Sequence, residues 1–338
     1  MIAIVAGRMT QTASPPTNTA TPGFTDVEPG AKAVLFDYRQ AANPVRHGLT
    51  EPIPEGRWGP ELHATGPSAI LPLDLSDKLG CQGPATSPAL SANFVRILAG
   101  DTIEVAAKAT SALFYVFRGQ GHCRREASRH GAAHDQAWST GDLFVLPSGP
   151  APQLEAEQES VLYWVHDAPL LSFLGVSPEE PRFEATHYPG PWMRQELAAL
   201  AADPSSARSN RLSLLMANAD LPRSRTVTHT LWAMLGLVPA GAIQPPHRHQ
   251  SVALDLVIDC QPGCVTISGP ELNADGTIRD PLSMAWEPGA AFVTPPGHWH
   301  SHVNQSGHPA MLLPIQDAGL HTYLRSLDIR FSSGMPQE

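Results

Sequence analysis

Three histidines crowd the stretch 293–304, VTPPGHWHSHVN: His298, His300 and His302. Two more, His247 and His249, stand two apart in GAIQPPHRHQSVALDLVI. Alternate side chains of a β-strand share a face, so a His-x-His pair points both imidazoles the same way, with Cα atoms about 6.6 Å apart at ~3.3 Å per residue. Two such rings can converge on one ion at the roughly 2.0–2.1 Å of a Zn–N bond. A third ligand must come from a neighbouring strand, and 293–304 offers the candidates. The pattern predicts a metal centre without naming its metal, because neutral imidazoles suit iron, nickel, copper and zinc alike.

The elements that would position these rings are short and extended. From about residue 90, apolar runs alternate with turn signals: NFVRIL, ALFYVFRGQG, GDLFVLPSG and SVLYWV, then LWAMLGLV, VALDLVI, CVTISG, AAFVTPPG and AMLLPI. Their β-branched and aromatic content and close spacing predict an all-β barrel or sandwich. The 34 prolines and 27 glycines fit many brief elements joined by turns. A helix is predicted at PWMRQELAALAAD, residues 191–203, with Pro191 in its first turn.

The two β series read as copies. Gly141–Gly149 (GDLFVLPSG) matches Gly289–Gly297 (GAAFVTPPG), an offset of 289 − 141 = 148, and LYWVHDAPLLSFL at 162–174 matches LLPIQDAGLHTYL at 312–324, an offset of 312 − 162 = 150. Two matches in order at a nearly constant offset predict an internal duplication. The organisation expected is a flexible Thr/Pro/Ala/Ser-rich arm at 1–30, a first barrel at 31–178, a helix-bearing connector at 179–228 and a second barrel at 229–338.

Composition narrows the partners. With 22 basic against 32 acidic residues the net charge is −10, and no basic stripe suggests nucleic acid. No apolar run is long enough to span a bilayer. The start MIAIVAGRM lacks a signal-peptide pattern and four cysteines make no disulfide framework, so cytoplasmic residence is expected. Cys260 and Cys264 flank a Gln-Pro-Gly turn and read as plain thiols, whereas Asp167 and Asp317, at matching repeat positions before helices, read as caps.

The histidine region resembles the cupin superfamily. That family's first motif is a Gly, five residues, His-x-His and then a Glu, matched here by Gly241, His247 and His249. Its second motif is matched at every gap by Gly289, Pro295, Gly297, His300 and Asn304. The resemblance selects His300 as the third ligand. The motif's Glu is absent, with Ala253 and Leu254 at its candidate positions, which implies three histidines and no protein carboxylate. Within the cupins, residues 230–254 and 292–304 resemble gentisate and salicylate dioxygenases, bicupins with a three-histidine Fe(II) site, and 112–176 resemble the metal-free barrel of that family. The implied fold is two double-stranded β-helix (jelly-roll) barrels with a few short helices. Aligning Ala112-Leu113 with Ala253-Leu254 places Ala106, Lys108 and Pro152 where His247, His249 and His300 stand, so the first barrel should hold no metal. Gentisate dioxygenases usually carry the metal in the first barrel, and this chain inverts that order.

The resemblance implies an Fe(II) dioxygenase, with Zn, Ni or Mn as other occupants, acting on a hydroxy-aromatic or enolisable small molecule and assembled as a homo-oligomer. Rival readings are an O₂-independent metal cupin (isomerase, hydrolase or decarboxylase) and a non-catalytic ligand-binding cupin. His302 is the candidate catalytic group beside the metal. Asp255, Trp299, Trp232, Gln316 and Arg248 are the candidate substrate contacts. Ring-cleaving relatives carry an Arg where Asp255 stands, and that Arg pairs with the substrate carboxylate. An Asp there repels a carboxylate in a low-dielectric pocket, which argues against gentisate itself unless Arg248, Arg223 or Arg225 takes over.

Overall fold

A computed structural model describes residues 30, 32–129, 133–208 and 212–332. The expected arm at 1–30 falls almost wholly outside them. The chain divides into two compact units, residues 1–50 and 51–338. The described part of the first unit holds one short helix, Tyr38–Ala41, capped by the Asp37 carboxylate, which accepts from the Arg39 backbone N–H at 2.9 Å.

The second unit holds two β barrels of the same plan. In the first, a six-stranded sheet runs in the order β11 (Thr186–Tyr188), β8 (Leu143–Pro147), β5 (Ser111–Arg118), β10 (Ser160–His166), β3 (Ser91–Ile97), β2 (Ala69–Pro72). Its companion sheet is β4 (Thr102–Glu104), β9 (Gln153–Ala156), β6 (Gln120–Arg125), β7 (His134–Ser139). In the second barrel the six-stranded sheet is β1 (Arg57–Trp58), β18 (Ala291–Thr294), β15 (Ala253–Asp259), β20 (Ala310–Gln316), β13 (Trp232–Val238), β12 (Leu212–Met216). Its companion is β17 (Leu282–Ala285), β16 (Cys264–Gly269), β19 (Trp299–Asn304), β14 (His247–Arg248), β21 (Arg330–Phe331). Apart from the edge strands β1, β11 and β21, the strand orders of the two barrels correspond, as a duplicated sequence requires.

Strand alternation sorts the side chains into three cores. On β5, Leu113 and Tyr115 join Leu254 and Leu256 of β15 in an apolar layer between the two large sheets, so the barrels pack face to face. The alternate residues Phe114 and Val116 fill the first barrel with Phe144 and Trp164, while Val257, Phe292 and Leu312 fill the second. Full burial of each such side chain contributes roughly 1.5–3 kcal/mol.

The strands at the edges are exchanged. β1 precedes the first barrel yet pairs with β18 of the second, with Arg57 opposite Phe292, and His63 donates to the Gly289 carbonyl at 2.9 Å. The connector contributes β11 to the first barrel and β12 to the second. The predicted helix is present at Gly190–Ala202. Asp167 and Asp317 stand at helix N-caps, but neither side chain bonds its own helix. Asp167 instead accepts from the Thr110 and Ser111 N–H groups at 2.8 and 3.1 Å, and Asp317 from Val252 N–H at 2.9 Å. Their structural role is to tie each helix to the strand beside it. Among the described residues no helix is long and apolar enough to cross a membrane.

Candidate metal centre

β14 is only two residues long, because Pro245 and Pro246 precede it and the chain turns after His249. It lies against β19 so that His247 faces His300 directly. The rings of His247 and His300 have centroids 4.0 Å apart, and those of His249 and His300 5.0 Å. Each of the three offers a ring nitrogen, all within 4.8 Å of one another, and all three residues are buried. Ligands about 2.1 Å from one ion lie roughly 3–4 Å apart, so small side-chain rotations close the shell.

Hydrogen bonds fix two of the tautomers. His249 Nδ1 lies 2.9 Å from the Ser251 carbonyl, and His300 Nδ1 lies 3.1 Å from the His298 carbonyl. A carbonyl only accepts, so each Nδ1 carries the proton and each Nε2 keeps its lone pair for a ligand. These donor atoms therefore fit a cation. A relay stiffens His249: the Ser251 hydroxyl sits 3.1 Å from its Nδ1 and donates to Gln316 Oε1 at 2.9 Å.

His302 shares the inward face of β19 with His300, at 5.9 Å between centroids. Its Nδ1 lies 2.9 Å from Thr266 Oγ1, which also receives the Trp286 indole N–H at 2.8 Å. The shared hydroxyl ties the His302 ring to Trp286 and fixes its orientation. A cavity of about 250 Å³ along β12 and β13 reaches His302, but His247, His249 and His300 are not among the residues that line it.

The other expected contacts divide by face. Asp255 shares a strand face with Val257 and so points into the second barrel, where Thr294 Oγ1 donates to its carboxylate at 3.0 Å. Trp232 sits opposite Gln316, and its indole N–H is buried with no acceptor among the described residues. Arg248 and Trp299 alternate with the ligand histidines and turn the other way. The guanidinium lies 5.0 Å over the Trp299 ring, so the two pair with each other rather than meeting the imidazoles. Arg223 and Arg225 are exposed.

Sequence reasoning missed Glu55. Its carboxylate accepts from the Ser268 hydroxyl at 2.9 Å and lies 3.4 Å from His298 Nδ1, while Oε2 is buried with no partner among the described residues. Ser268 is itself opposite His300. More than two hundred residues separate Glu55 from this spot in the chain, and no motif marks it.

No protein-family model matches the chain. It is 27% identical over 134 residues to gentisate 1,2-dioxygenase 1 of Aquipseudomonas alcaligenes, covering 40% of this chain and 34% of that protein. It is 27% identical over 118 residues to a 5-aminosalicylate 1,2-dioxygenase of Comamonas sp, covering 35% of this chain and 29% of that protein. These matches thus span about a third of the relatives' length. Among solved structures, the salicylate 1,2-dioxygenase of Pseudoaminobacter salicylatoxidans with gentisate has a TM-score of 0.64 at 11% identity, covering 84% of this chain and 86% of that one. A mutant oxalate decarboxylase of Bacillus subtilis has a TM-score of 0.52 at 14% identity, covering 77% and 76%. The chain has the all-β bicupin fold. Within that class it resembles the gentisate dioxygenases.

Proposed function

We propose that the chain is an Fe(II)-dependent cupin dioxygenase cleaving a hydroxy-aromatic or enolisable substrate other than gentisate. The observation that carries this reading is the convergence of His247, His249 and His300 with no carboxylate among them. Bound iron would supply a dication that an anionic substrate can chelate, and the electrons for dioxygen chemistry.

The chain's own residues do the rest. His302 orients a substrate oxygen through a hydrogen bond. Glu55, paired with His298, is the base that takes the substrate's hydroxyl proton. Ser251 and Gln316 hold His249 in place. Asp255 selects against a carboxylate on the substrate. Arg248, Arg223 and Arg225 do not replace the missing family Arg, the first being turned onto Trp299 and the others exposed.

The test is anaerobic loading with Fe(II), then an oxygen-electrode screen of catechols, hydroquinones and 1,3-diketones beside gentisate. Oxygen uptake with a substrate lacking a carboxylate is expected. Conversion without oxygen would establish the second reading, an O₂-independent metal cupin, for which the shared fold of oxalate decarboxylase is the supporting observation.

A further inference from the structure

The first barrel keeps a cavity where the second has its histidines. On β6 and β9, Arg124 faces Gln153. One step on, Arg125 meets Pro152, the residue aligned with His300, and so occupies the place that Ser268 holds in the second barrel. Arg125 shares its face with Cys123, a member of the first barrel's core, and therefore points inward.

Two adjoining cavities of about 240 and 540 Å³ open at this point and share Ala106, Ala107, Lys108 and Trp164. Arg125 and Phe114 line the smaller, and His166 and Asn93 the larger. No carboxylate lines either one among the described residues, although the whole chain carries a net charge of −10. Arg125 Nη1 donates to the Pro147 carbonyl at 2.7 Å, but its Nε and the Trp164 indole N–H are buried without an acceptor among the described residues. Both are donors lacking a lone pair to meet, which is the imprint of an acceptor-bearing ligand. Lys108 is exposed at the rim. Beneath these donors, Phe144, Phe114 and Trp164 form a nearly parallel stack, with centroids 4.9 and 5.8 Å apart, continued by the His166 ring 4.6 Å from Trp164.

We propose that the first barrel is a second ligand site, for a small carboxylate with an aromatic body. The Arg125 guanidinium stands in for the metal and, with Lys108 at the mouth, holds the carboxylate. The Phe114–Trp164 wall holds the ring. This site does not depend on the reaction proposed for the other barrel.

The test is calorimetric titration of the metal-loaded protein with 2-naphthoate and with its neutral analogue 2-naphthalenemethanol. Wild type should bind one equivalent outside the metal barrel, so that removing the metal with a chelator leaves that affinity unchanged. Lys108→Glu and Arg125→Met should each weaken it about tenfold, the loss of one charge-assisted contact. The alcohol should bind at least tenfold more weakly than the acid. Absence of binding, equal binding of the alcohol, loss on metal removal, or unchanged affinity in either charge variant overturns the proposal. If Arg125→Met does not fold, Lys108→Glu, on an exposed side chain, decides alone.

Discussion

At the scale of single residues, the metal barrel turns on a substitution of charge. Asp255 stands where the resemblance to ring-cleaving dioxygenases implies a carboxylate-binding Arg, and it faces the interior of its barrel. Replacing Asp255 with Arg should therefore create activity on gentisate or salicylate; efficient turnover of either by wild type would sink the argument. The relay behind His249 makes a separate prediction. Gln316→Leu removes the acceptor of the Ser251 hydroxyl and should lower iron affinity about 10–100-fold, measured by metal competition, while leaving the fold intact. With iron as the proposed occupant, His300→Ala should abolish stoichiometric iron binding and the rise in melting temperature expected when wild type is loaded with iron. The three histidines were legible in the sequence because turns fix their spacing: Gly289, Pro295 and Gly297 bracket the approach to His300. Glu55, Ser251 and Ser268 were not, since a carboxylate or hydroxyl brought in from elsewhere in the chain leaves no periodic mark. Strand alternation, applied to β14 and β19, already excluded Arg248 and Trp299 from the histidine face. That inference was available from the sequence once His247 and His300 were placed on strands.

At the scale of elements, the duplication was legible and the exchange of strands was not. Runs such as ALFYVFRG and VALDLVI carry both a core face and a partner face, so their hydrophobicity reports each barrel. The pair Arg57–Trp58 is too short to carry a pattern, and its partner β18 lies in the other barrel. The turn before β18 shows how tightly this junction is built. Gly289 has φ +85°, and a Cβ there would lie 3.0 Å from Phe117 ring atoms and 3.1 Å from His63 Cε1. Gly289→Ala should cost about 1–3 kcal/mol in urea unfolding, through both backbone strain and displaced packing. Gly307→Ala, in open space and without positive φ, should cost a few tenths. Equal costs would show that the junction between the barrels is slack.

At the scale of the whole molecule, the two repeats carry oppositely tuned groups one aligned position apart, His166 matching Gln316 and Asp317 matching Asp167. His166, aligned one residue before the Asp167 cap, is pushed down from 6.5 to about 4 by burial. Asp317, the cap of the other repeat, is pushed up from 3.8 to about 7 by burial, against the Val252 N–H bond that favours its anion. The unfolded chain binds the proton of His166 more readily than the native protein does, so the stability linked to this group is complete above pH 6.5 and is lost as pH falls toward 4. Asp317 works the other way: its contribution is complete below about pH 4 and is lost as pH rises toward 7. Each shift corresponds to a few kcal/mol at most. Their slopes oppose one another between pH 4 and 6.5, so the wild-type dependence there should be shallow. Asp317→Asn keeps the acceptor for Val252 N–H but cannot ionise, and its stability should climb with pH over that window. His166→Phe should show the reverse, falling as pH rises from 4 to 7. Urea unfolding of both variants at half-unit steps separates the two slopes. Parallel curves for wild type and both variants would mean that neither buried group titrates as its surroundings require.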